Sequence, residues 1–228
     1  SADEPPQIPD APANPVAKEL TLGANEPGKA PDYWIYAEFS NQTAAVTRLQ
    51  LNRYENEDRS GPLILLQEDI ASAHSYVLPM EQYPELDDAT WDVVASSPGE
   101  VIFRTQVRDG GLQIEKRFRL DKHSPLIQLD VAFRNLGPDP LTAISYMLNG
   151  GDGLPIENAD STAYGRKAVI ATSGNDEEAS LTTLGPFAIA QGNASEIRGV
   201  PILFWGTACQ FFASVVINVP DVDSANQI

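Results

Sequence analysis

Between Leu112 and Leu120 the side chains alternate: Leu112, Ile114, Phe118 and Leu120 fall on one face, and Gln113, Glu115, Arg117 and Arg119 on the other. A period of two is the geometry of a half-buried strand. The pattern resumes after DKHSP, with Ile127, Leu129, Val131 and Phe133 inward and Gln128, Asp130, Ala132 and Arg134 outward. Two alternating runs joined by a five-residue connection predict an antiparallel hairpin.

Further strands are predicted over 33–39, 44–51, 91–95, 100–107, 141–148, 167–171, 200–205 and 209–217. Short turn-forming sequences (SNQ, DRSG, SSPG, RDGG, NLGPDP, SGND) separate the runs and leave no room for crossover helices. The expected fold class is all-β, an antiparallel sandwich with no long helix. At 228 residues the chain is within the range of one large β domain, able to bury roughly 70–75% of its unfolded surface without a disulfide.

The charge balance excludes one class of partner. Fifteen Lys and Arg against 32 Asp and Glu give a net charge of −17, which repels nucleic acid and anionic headgroups. Any charged partner surface is therefore expected to be basic. The acidic stretches ENED, PELDD and NDEE read as solvated loops or guards of strand edges. The one cysteine, Cys209 in ACQFFASVVI, reads as a small buried hydrophobe. No run reaches the roughly 18 apolar residues that cross a bilayer, and a soluble chain is expected. Residues 1–18 contain five prolines and few bulky apolar groups. They read as a disordered linker or a dispensable terminus, ahead of a single domain over 19–228.

Motifs with chemistry are sparse. LNGGDGLPIEN (148–158) lacks the Gly-Lys-Ser/Thr ending of a phosphate loop and the alternating carboxylates of a calcium loop. It reads as a turn, and a cation held jointly by Asp152 and Glu157 would overturn that reading. His74 and His123 are the two histidines, too few for a zinc cluster, and no GxSxG elbow accompanies them. No metal, cofactor or catalytic residue is expected. Trp34, Trp91 and Trp205 each lie in a strand pattern, where core packing is favoured over a stacking platform.

Taken as whole phrases, several segments resemble the large periplasmic domain of the YidC membrane protein insertases, in the divergent form associated with planctomycete-type bacteria. The likeness covers most of Glu19 to Pro220. The opening phrase matches at Asn41, Ala44, Ala45, Leu49, Leu51 and Tyr54, with Gln42-Thr43 where the family carries glycine. LQIEKRFRL and IQLDVAFRNLGPDPL resemble two successive family strands. Gly150, Gly153, Leu154, Pro155 and Glu157 match the turn that follows, and Gly151 stands where proline is expected. WGTACQFFASVVINVPD matches a late phrase at Gly206, Gln210, Phe212 and Pro220, with Phe211 replacing tyrosine.

The resemblance implies a twisted antiparallel β-supersandwich related to galactose mutarotase-like sandwiches. It implies a non-catalytic domain on the periplasmic side of the inner membrane, tethered by transmembrane helices that this fragment lacks, and cut short at its C-terminal end. Its role would be accessory to membrane protein insertion and folding, through contact with SecD- and SecF-type components of the Sec translocon and with nascent membrane proteins. The residues carried over, Asn41, Gly150, Gly153, Leu154, Pro155, Glu157, Gln210 and Phe212, are expected to be structural. The competing expectation is a carbohydrate-binding module or aldose epimerase that uses a histidine and a carboxylate. A third reading is a spacer.

Overall fold

Leu112–Leu120 (β7) pairs antiparallel with Ile127–Asn135 (β8), in a register running from Leu112 opposite Asn135 to Leu120 opposite Ile127. The hairpin predicted from alternation is therefore present. Glu100–Val107 (β6) pairs with β7 and Asp92–Ser97 (β5) with β6, which completes a four-stranded sheet of order β5-β6-β7-β8. The computed structural model describes residues 20–67, 75–107, 111–140, 143–151, 154, 165–173, 178–192, 197, 199–209 and 212–219. The proposed linker over 1–18, His74, Asp152, Gly153, Pro155, Glu157 and Gln210 lie outside the described residues.

A second sheet has the order β1-β2-β3-β4, from Leu20–Gly23, Ile35–Ser40, Ala45–Glu55 and Pro62–Gln67. These two sheets share one core. Leu22, Ala37 and Phe39 from the β1–β4 sheet meet Val101, Phe103, Ile114 and Phe118 from the other, all buried. The ring of Phe39 lies 5.8 Å from that of Phe103 and 4.8 Å from that of Phe118. Tilted aromatic contacts of this kind add about 0.5–1.5 kcal/mol each to the burial term.

The third sheet, order β10-β9-β11-β12, is built from Lys167–Ser173 (β9), Ala179–Leu184 (β10), Ile202–Ala208 (β11) and Ala213–Ile217 (β12). A short helix (α1, Pro186–Ala190) follows β10, its proline in the first turn where no N–H is needed. Within all three sheets every strand pair is antiparallel. The chain is all-β, as its alternation and short turns require.

The predicted boundaries need several corrections. β1, β4 and β10 fall outside the predicted strands: LTLG is short, PLILLQ is apolar on both faces, and ASLTTL carries little apolar contrast. Conversely, the strand predicted over 141–148 does not form over 143–148. Met147 N and Asn149 N donate to the carbonyls of Pro79 and Val77, but Pro79 has no N–H to return, so a two-way ladder cannot be completed there. Of the run predicted as a strand over 209–217, Ala213–Ile217 is strand, whereas Cys209 and Phe212 are not, Cys209 N donating to Phe212 O.

Candidate functional site

Several of the residues singled out by the sequence join one sheet to another. Trp91 N donates to Asn41 O at 2.8 Å, and Thr43 N to Ala89 O at 2.7 Å, so the β2–β3 turn is strapped to the segment entering β5. Leu154 is buried in the core, and its carbonyl accepts from Arg166 Nη2. Phe212 packs against the core and meets Tyr54 edge-on at 5.8 Å. Cys209 is half-buried against the same cluster. Of the three tryptophans only Trp91 is fully buried; Trp34 is half-exposed with the Arg53 guanidinium 4.2 Å from its ring centroid.

Gly151 shows why the expected proline is absent. A Cβ at this position would lie 2.2 Å from Ser214 Oγ and 3.1 Å from both Leu66 Cδ1 and the Tyr76 hydroxyl. Ser214 Oγ is in turn 3.3 Å from the Tyr76 hydroxyl, and Thr207 Oγ1 donates to Gly151 O at 3.2 Å. The third sheet thus approaches the β1–β4 sheet through a backbone without a side chain. Burial pushes the Tyr76 phenol above its ordinary value, with Ser214 acting in the opposite direction.

The most unusual polar group is Lys116, on the inward face of β7 in phase with Ile114 and Phe118. Its side chain is completely buried. The ammonium donates to Thr43 O at 3.2 Å, Ala44 O at 3.1 Å and Tyr76 O at 2.7 Å, and lies 5.2 Å from the Trp91 ring centroid. An ammonium has three N–H donors, and here each has a carbonyl. Thr43, Ala44 and Tyr76 all have positive φ, of 59°, 48° and 62°. The glycine that the resemblance led one to expect near Thr43 is not needed for that conformation. Burial pushes the Lys116 ammonium down to about 7.

Such a lysine resembles an activated amine only in its lowered basicity. It has no exposure, and it does not line the neighbouring cleft of about 310 Å³ beside Thr43, Leu78, Leu86, Asp87 and Asp88. Its chemistry is that of an internal cation tying together the β2–β3 turn, β7 and the chain at Tyr76. Sequence reasoning passed over Lys116, although its phase within the alternation was the available signal.

His123 has a φ of 59° in the exposed β7–β8 connection, where its N–H donates to Asp32 O. Neither this cleft nor a second one of about 480 Å³ beside the β3–β4 turn is lined by it. Among the described residues no group of His, Cys, Asp and Glu is arranged to hold a metal, and no described helix is long and apolar enough to cross a membrane.

The third sheet differs from the others in its surface. Lys167 is the one charged residue in its four strands. The register places Leu181, Ala171, Phe204 and Ile217 in a single row across them. Leu181 and Ile217, at the two ends of that row, are 61% and 54% exposed, and Val215 and Val219 are exposed nearby. Against known proteins, the chain matches no family model, no curated protein and no solved structure.

Proposed function

We propose that the chain is a non-catalytic binding domain of the YidC-insertase kind, displayed on the periplasmic side of the inner membrane, where it contacts Sec-type partners or translocating chains. The observation that carries this reading is the uncharged, apolar row across the third sheet, exposed at its two ends, Leu181 and Ile217, the latter on the edge strand β12. A chain with a net charge of −17 has ample means of keeping such a surface polar. Sheet edges are ordinarily guarded by charge, proline or a bulge, and Ala213–Ile217 contains none of these. An extended peptide added to β12 would gain backbone hydrogen bonds, with Val215 and Ile217 supplying apolar contacts.

The quoted phrases support the same reading by where they fall. The opening phrase spans β1 to β3, the middle pair forms the β7–β8 hairpin, and the late phrase forms the β11–β12 hairpin. Kinship with galactose mutarotase-like sandwiches belongs to the proposal as well. The sugar-enzyme alternative needs a histidine beside an acid in a cleft; His123 is exposed on a surface turn, and His74 lies outside the described residues.

The test is photocrosslinking in membranes from the full-length protein, with the reactive group at Val215 or Ile217 and, as a control, at Gln128 on β8. Capture of a Sec-type component or a nascent chain from β12 alone is the expected result. Equal capture from Gln128, or none from β12, would sink the proposal.

A further inference from the structure

Cations are scarce in this chain, 15 against 32 acids, so three of them around one cleft run against the composition. Lys29, Arg53 and Arg59 line the cleft of about 480 Å³ beside the β3–β4 turn, and Glu55 is the one acid in its lining. The lining itself carries three cations against one carboxylate, and the adjoining acids Glu26, Glu57 and Asp58 are exposed and lie outside it. Among the described residues, no carboxylate forms an ion pair with any of the three.

The cleft has a built frame. Asn52 is buried in its wall and donates through Nδ2 to Ala24 O at 2.8 Å and Tyr33 O at 2.7 Å. Gln50, also buried, donates to Asn52 Oδ1 and Asn25 Oδ1, and Gly28 N donates to Asn52 O at 2.9 Å. These bonds fix the segment carrying Lys29 against β3, which carries Arg53. The far side is the turn after β3, where Asn56 O accepts from Arg59 N and Asn56 Oδ1 from Gly61 N. Arg53 is placed over the Trp34 ring, a contact that holds its guanidinium without neutralising it.

We propose that this cleft binds a small molecule bearing phosphate or carboxylate groups. Guanidinium forks match the paired oxygens of either group, and an ammonium on the facing segment adds a third contact. The volume lies within the range of small-molecule sites. A large polyanion is disfavoured, because beyond the cleft the molecule's net negative charge repels it.

Calorimetric titration of the 228-residue chain with glucose 6-phosphate, citrate and glucose tests the proposal. Saturable binding of one or both anions at millimolar concentration, with none of glucose, is expected; which anion binds identifies the group recognised. The double substitution Arg53→Gln with Arg59→Gln weakens that binding about tenfold or more. Lys29→Gln, at an exposed position on the opposite wall, weakens it too while leaving the melting temperature unchanged. Arg119→Gln on β7 has no effect. The proposal fails if neither anion saturates, if glucose binds as well as its phosphate, or if the folded Lys29→Gln variant binds as tightly as the parent.

Discussion

The Lys116 ammonium donates at 2.7 Å to the carbonyl of Tyr76, a residue 40 positions earlier whose φ is 62°. The other two acceptors, Thr43 and Ala44, are also in the left-handed region. Left-handed backbone at non-glycine residues costs of the order of 1 kcal/mol or more each and persists where its surroundings impose it. Here one cation is bonded to the carbonyls of all three residues. Its burial is costly, and three carbonyls and the Trp91 face offset that cost.

Lys116→Met tests this relationship. Methionine fills a comparable volume and removes the buried charge, a change that is near neutral in some proteins. In this site it leaves three carbonyls without their donor, at about 1–3 kcal/mol for each buried acceptor left unsatisfied. The unpaired acceptors outweigh the relieved charge, and a loss of about 3 kcal/mol is expected in urea denaturation at neutral pH. An unchanged midpoint would show that the carbonyls find other partners.

The pH dependence follows from the same group. Its folded value, about 7, lies below the ordinary 10.5. Between those values the unfolded chain holds a proton that the folded chain has released, so stability contributed by Lys116 rises with pH across that window. Below about 7 both states hold the proton and the contribution is flat. The stability of the parent minus that of Lys116→Met should therefore increase from neutral pH upwards, by up to about 1.4 kcal/mol per pH unit. Denaturation series on both proteins measure this, and a difference that falls with rising pH contradicts the assignment.

Gly151→Ala is expected to loosen the third sheet. The new methyl meets Ser214 Oγ, which can turn away only by giving up its contact with the Tyr76 hydroxyl. Overpacking of this kind costs about 1–3 kcal/mol. Adding Ser214→Ala removes the oxygen in the way and should restore part of the loss, so the double-mutant cycle gives a favourable coupling. Strict additivity would mean that the two residues do not press on one another.

Arg119 and Asp130 provide a contrast, as an ion pair of 2.5 Å across the exposed face of β7 and β8. Both side chains are more than two-fifths exposed. Despite the short distance, Arg119→Gln should cost less than about 1 kcal/mol, and less still in high salt. A larger loss in the same denaturation assay would show that this pair is held more rigidly than its exposure indicates.

Much of the fold was legible because alternation is a local property. The β7–β8 hairpin could be read with its inward and outward faces, since each side chain's side of a strand follows from its position alone. Where that contrast fades, as in Pro62–Gln67 and Ala179–Leu184, the strands went unread. Over 143–148 the apolar pattern is present, but the residue opposite Met147 is Pro79, which can accept a ladder bond and cannot return one.

The candidate sites were less legible for the same reason. Lys116 is one polar letter in an alternating run, and its role exists only because Thr43, Ala44 and Tyr76 converge on it from elsewhere in the chain. Lys29, Arg53 and Arg59 look like scattered surface cations until the Asn52 bonds bring their segments around one cleft. By itself the sequence determined an antiparallel β protein, strongly acidic, with its main hairpin in place, because periodicity and charge are carried residue by residue. Only the tertiary structure decided which carbonyls hold the buried ammonium, which cations share a cleft and why Gly151 bears no side chain, because each depends on distances between segments far apart in the chain.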